Sequence, residues 1–103
     1  MMIIRGIKMI TLNVTYYCKP GKREEFIEAL KRLEMRRNSR GEAGNIMYDY
    51  FVSLHDPNRL FLLEQWRDDI ALTNHSGQPF FQKLGSLKET YVEETVIEKY
   101  YRD

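Results

Sequence analysis

The chain is poor in the residues that build metal centres and disulfide frameworks. Its 103 residues hold one cysteine and two histidines. A lone Cys18 cannot close a disulfide within the chain, which points to a reducing, cytoplasmic setting. His55 and His75 are far apart in sequence and Cys18 adds no metal-ligand spacing, so no metal set emerges. Gly21 and Gly44 stand alone as turn residues, and no glycine-rich loop is present to cradle a phosphate. No apolar run approaches the roughly 20 residues that cross a bilayer. Met1 to Ile10 is interrupted by Arg5 and Lys8, so it reads as the lead-in to a strand rather than a signal peptide, with Met9 a candidate alternative start. Charge of one sign is lacking too: 16 basic and 15 acidic side chains leave a net charge of +1. Without a one-signed surface, neither nucleic acid nor an anionic membrane is the expected partner.

What is present is apolar and patterned. Hydrophobic residues make up 43% of the chain, enough for one compact domain over residues 1–103. Ile10 to Tyr17 alternates strictly, with Ile10, Leu12, Val14 and Tyr16 on one side and Thr11, Asn13, Thr15 and Tyr17 on the other, which predicts a half-buried strand. Lys19-Pro20-Gly21 breaks it. From Lys22 to about Arg37 the period becomes helical, with Phe26, Ile27, Leu30 and Leu33 as the apolar stripe. Asn38 to Asn45 turns the chain. Ile46 to Ser53 and Arg59 to Trp66 read as two strands joined by a turn at His55-Asp56-Pro57-Asn58. A second helix starts at Asp68 or Asp69, breaks near Gly77 and Pro79 and resumes through Phe80 to Leu84. Tyr91 to Tyr100 is a fourth strand.

The order is β-α-β-β-α-β, the α+β ferredoxin-like arrangement, with a four-stranded antiparallel sheet covered by helices on one face. The other face should then be polar in a monomer, yet both faces of the central hairpin are apolar. Leu60, Leu62 and Trp66 oppose Phe61 and Leu63; Ile46, Tyr48, Tyr50 and Val52 oppose Met47 and Phe51. Two apolar faces require two covers, and a second copy packed sheet to sheet is the simplest second cover. A homodimer is therefore expected. A cavity is expected either between helices and sheet or near the sheet–sheet seam.

The most informative stretch runs from Glu64-Gln65-Trp66 through Ala71-Leu72 and His75 to Pro79-Phe80-Phe81. Glu64 and Trp66 share one strand face. Ala71, Leu72 and His75 fall at i, i+1 and i+4, which puts the imidazole on the apolar side of its helix. A carboxylate, an indole and an inward-facing histidine suggest a small-molecule pocket without naming the molecule.

With Lys19-Pro20-Gly21-Lys22-Arg23-Glu24-Glu25-Phe26, Glu42-Ala43-Gly44-Asn45-Ile46-Met47-Tyr48 and Asp56-Pro57-Asn58, these pieces make the chain resemble the antibiotic biosynthesis monooxygenase family over nearly all of Ile10 to Tyr100. The resemblance implies a dimeric α/β barrel. In some members it implies oxygenation of aromatic or quinol-like substrates without metal or flavin, so no cofactor is expected. Phe80 stands where members commonly carry a second histidine in a Pro-His-aromatic pattern, which removes a polar group from the expected pocket. Gly85 stands near the place of the ligand histidine of haem-degrading relatives.

His75 is the candidate base, since an imidazole accepts a proton near neutral pH; its alternative is a packing histidine held by backbone or Glu64. Trp66 either stacks on a flat substrate or fills the core. Glu64 either orients His75 or binds a substrate hydroxyl, or else pairs with Arg59 or Arg67. Asn13 either orients a carbonyl or dioxygen through its amide or meets solvent. Tyr48 and Phe80 are candidate pocket walls. The function expected is a cofactor-independent monooxygenase of a small aromatic, phenolic or quinol substrate. An isomerase of a small hydroxy-carbonyl metabolite and a non-catalytic ligand-binding dimer remain open beside it.

Overall fold

The computed structural model describes residues 9–102. The expected lead-in at the start of the chain falls largely outside them. The elements run β1 (Met9–Cys18), α1 (Arg23–Arg32), α2 (Met35–Arg40), β2 (Asn45–Val52), β3 (Arg59–Trp66), α3 (Asp69–Ser76), α4 (Pro79–Tyr91) and β4 (Val92–Arg102). The strands form one antiparallel sheet in the order β2-β3-β1-β4. This is the ferredoxin-like α+β fold that the β-α-β-β-α-β pattern predicts.

Among the described residues the two expected helices become four. The helix expected over Lys22 to Arg37 stops at Arg32 because Glu34 takes a left-handed backbone, φ +55°, unusual for a residue with a side chain. The chain restarts as α2, which buries Met35 and Ser39. Downstream the break at Gly77 and Pro79 is as expected. Pro79 occupies the first turn of α4, where its missing N–H leaves no bond unmade, and that helix runs on to Tyr91 rather than ending near Leu84.

Strand register sets the composition of the helix-covered face. β1 buries every second residue, from Ile10 through Tyr16 to Cys18. Leu12 lies opposite Glu64, which lies opposite Tyr48; Val14 lies opposite Leu62, which lies opposite Tyr50. An irregularity between Asn45 and Met47 resets the pairing where β2 begins. The other face carries Asn13, Met47, Phe51, Phe61, Leu63 and Gln65, with Val96 and Tyr100 from β4. The Phe51 and Phe61 rings pack at a tilt, 6.1 Å apart, and Phe51 stays 50% exposed, so the described residues leave this apolar face uncovered.

Gly44 fixes how closely α3 approaches the start of β2. Its φ is +85°, and a Cβ there would stand 2.6 Å from the Ala71 Cβ. Gly44→Ala adds left-handed backbone strain and overpacking against α3. It is expected to lower stability by about 2 kcal/mol in urea unfolding. An unchanged midpoint would mean that α3 does not depend on this close approach.

Candidate functional site

α3 begins where Asp68 caps it, its carboxylate accepting the Ala71 N–H at 2.9 Å. From that start, Ala71 and His75 face inward, one helical turn apart. His75 is 1% exposed. Its Nδ1 lies 2.6 Å from Glu42 Oε2, a carboxylate supplied by the connection between α2 and β2. On the other side of the ring, Nε2 faces Glu64 Oε1 at 3.8 Å, beyond hydrogen-bond reach. The Trp66 indole N–H donates to that same Glu64 oxygen at 3.1 Å.

Aromatic rings enclose the imidazole. Trp66 packs against it at a 36° tilt with centroids 4.5 Å apart, and Phe81 meets it edge-on at 5.1 Å. Tyr48 and Phe80 complete the ring at 5.8 and 5.9 Å. Phe80 and Phe81 are only partly buried and form the outer cover; Trp66 and Tyr48 form the inner wall.

Five of the residues singled out in the sequence thus converge: Tyr48, Glu64, Trp66, His75 and Phe80. Asn13 does not join them. It projects from β1 on the opposite face of the sheet, beside Leu63 and Glu98, so a substrate seated against His75 and Trp66 would have the sheet between itself and that amide. The arginines considered as partners for Glu64 are engaged elsewhere, Arg59 with Asp56 and Arg67 with Asp68. Glu42 and Phe81 are the additions. Glu42 is 33 residues from His75 in the chain, and nothing in its local pattern marks it as the imidazole's partner.

Burial dominates the electrostatics. It pushes the Glu64 carboxyl up to about 7, with the Trp66 N–H pulling back and the charge of Glu42 adding to the rise. It pushes His75 below its ordinary value, partly offset by the hydrogen bond to Glu42. The neutral imidazole therefore donates Nδ1–H to Glu42 and keeps its Nε2 lone pair free toward Glu64. The same burial raises the Tyr16, Tyr48 and Tyr50 hydroxyls well above the usual phenol range, so all three stay protonated donors. The two carboxylates flank opposite nitrogens of the imidazole and do not share one point. Among the described residues no group of three His, Cys, Asp or Glu side chains is placed to hold a metal ion.

A cavity of about 470 Å³ lies between helices and sheet, one of the two positions expected for it, but it does not reach His75. Its apolar lining comes from Ile27 and Leu30 on α1, Met35 on α2, Tyr50 and Val52 on β2, and Leu60 on β3. Tyr48 stands between the two regions, its ring edge-on to Tyr50 at 5.7 Å and packed against His75. No helix among the described residues is long and apolar enough to cross a membrane.

With this geometry in place, comparison with known proteins is direct. The family model for antibiotic biosynthesis monooxygenase matches residues 9–85, from β1 to the middle of α4. A Bacillus subtilis protein named "Putative monooxygenase YcnE" is 38% identical over 74 residues, covering 72% of this chain and 76% of its own. The crystal structure of PA3566 from Pseudomonas aeruginosa superposes with a TM-score of 0.84 at 32% identity, covering 93% of this chain and 95% of that one. That of SO0527 from Shewanella oneidensis also gives 0.84, at 28% identity over 94% and 93% of the two chains. The family match spans β1 through α3 and into α4, and the chain belongs to the antibiotic biosynthesis monooxygenase family.

Proposed function

We propose that the protein is a cofactor-independent monooxygenase acting on a small phenolic or quinol substrate, with His75 as the base. The observation that carries this reading is the placement of the imidazole, buried with Nδ1 2.6 Å from Glu42 and Nε2 outside hydrogen-bond reach of Glu64. Glu42 fixes its tautomer, burial keeps it neutral, and Nε2 is left as the one basic position. Nε2 takes a phenolic proton; the electron-rich anion then gives an electron to dioxygen. Trp66 packs on the imidazole and backs it from within, and Glu64 near Nε2 holds or releases a proton close to neutral pH. For a substrate to reach Nε2, the Phe80 and Phe81 rings must part; both sit at the α3–α4 break and are partly exposed.

The working unit in this reading is a homodimer packed through the apolar sheet face of Phe51, Phe61, Leu63 and Val96. Sedimentation at micromolar concentration is expected to give twice the chain mass, and a stable monomer would count against the dimer.

A second reading, a non-catalytic ligand-binding module, is favoured by one specific observation: aromatic side chains fill the space around His75. Oxygen consumption decides between the two. A panel of hydroquinones and naphthols should show substrate-dependent uptake matched by oxidised product. No uptake across the panel would favour the binding module, and turnover of a hydroxy-carbonyl compound without oxygen would favour an isomerase.

A further inference from the structure

A separate hollow of about 410 Å³ lies in the helix layer, between α1 and α4. No strand residue lines it, so it is apart from the His75 centre and from the sheet face proposed for the dimer. Its size falls within the roughly 300–1,000 Å³ of small-ligand sites. The two helices run past each other in opposite directions. Phe26 near the start of α1 meets Tyr91 at the end of α4, ring centroids 6.2 Å apart, while Arg32 and Leu33 at the end of α1 share the hollow with Lys83. The groove therefore has a polarity. Arg32 and Lys83 stand at one end, Ala29 and Leu87 pave the middle, and Tyr91 closes the other end.

The cations at the charged end are uncommitted. Lys22, Lys31, Arg36 and Arg37 each meet a carboxylate, but among the described residues Arg32 and Lys83 have no ion-pair partner. Glu28, four residues before Arg32 and within its reach along α1, is turned to Lys31 at 3.5 Å. Lys83 has Pro79, Phe80, Ser86 and Leu87 three and four residues away, so no carboxylate on its own helix face answers it. No carboxylate lines the hollow. Two cations with no anion between them, at the head of an apolar floor, are complementary to one anionic head group carrying an apolar tail. Length narrows the tail. From Lys83 to Tyr91 α4 rises about 12 Å, and an extended ten-carbon chain is about 11 Å long.

We infer that the α1–α4 groove binds a linear apolar carboxylate of about ten carbons, with the carboxylate between Arg32 and Lys83 and the chain along Ala29, Leu87 and Tyr91. The inference does not depend on the reaction assigned to His75, and its test involves no turnover.

The probe is decanoate below its micelle concentration, with 1,2-decanediol as the control without a charge and butyrate as the control without a tail. Amide ¹H–¹⁵N spectra should place the decanoate shifts on α1 and α4, around Ala29, Arg32, Lys83 and Leu87, with the diol and butyrate each binding at least tenfold more weakly. Arg32→Gln and Lys83→Gln, both at exposed positions, should each weaken decanoate about three- to fivefold and together about tenfold, leaving the diol unchanged. Ser86→Trp, exposed on the groove wall, should fill the space and abolish decanoate binding. Shifts centred on His75 or on the cavity between α1–α2 and the sheet, diol binding as tight as decanoate, cation substitutions without effect, or no binding up to the micelle threshold would each overturn the inference. An acidic amphipathic peptide that shifts these residues where decanoate does not would overturn it too, making the groove a protein-docking surface.

Discussion

His75→Asn is expected to lower kcat/KM for quinol-dependent oxygen uptake by about 10²–10⁴-fold, the usual loss when a positioned general base is removed. The choice of asparagine matters. Its amide N–H can stand where the imidazole Nδ1–H donates to Glu42 at 2.6 Å, so the buried carboxylate keeps a partner and the fold is spared an unpaired charge. What disappears is the Nε2 lone pair. The pH profile supplies a second readout. Because His75 is held below its ordinary value, the wild-type base stays unprotonated at neutral pH, and activity falls only as pH drops through that lowered value. The variant's residual rate should lack that acidic limb. An unchanged rate, or a limb that survives the substitution, would assign the base elsewhere.

Glu64→Gln is expected to stabilise the protein at pH 8 by about 3 kcal/mol and to leave it unchanged at pH 4. The sign follows from the direction of the shift. The carboxyl titrates near 7 when folded against an ordinary value of 4.5, so the native state holds a proton that the unfolded chain has released. Below pH 4.5 both states are protonated and nothing is lost. As pH rises from 4.5 through 7, stability drains away, and above 7 the full penalty of a buried charge remains. An amide carries no such charge, and its oxygen still accepts the Trp66 indole N–H. The lowered His75 value acts in the opposite sense, reducing stability as pH falls below about 6.5, but parent and variant share it. Urea unfolding at pH 4 and pH 8 reads the difference directly. A Gln variant less stable than its parent at pH 8 would show that the ionised Glu64 is stabilised by more than the indole N–H.

Much of this architecture was legible in the sequence because it rests on local periodicity. The strict alternation from Ile10 to Tyr17 gave β1 its faces, and the Arg59–Trp66 run matches β3 residue for residue. The i, i+4 spacing of Ala71 and His75 put the imidazole inside. Features that depend on unusual backbone or distant partners were not legible. Glu34 carries no mark of its left-handed turn, so one helix was expected where α1 and α2 stand. Gly85 gave no sign that α4 continues to Tyr91, because the packing of Leu84 and Leu87 outweighs one weak helix former. The pairing of Glu42 with His75 is created only when the chain closes. Asn13 lies on the strand face where its alternation put it. The alternation put it on the side away from Leu12 and Val14, and that side is turned away from α3 and its histidine.

The most direct test is the protonation state of His75, read from long-range ¹H–¹⁵N correlations of ¹⁵N-histidine-labelled protein, with His55→Ala to assign the two rings. A neutral imidazole at pH 7, protonated on Nδ1 and bare on Nε2, with its midpoint below that of His in a free peptide, is the predicted result. An imidazolium at pH 7, or a proton resting on Nε2, would contradict the arrangement in which Glu42 fixes the tautomer and leaves one basic nitrogen.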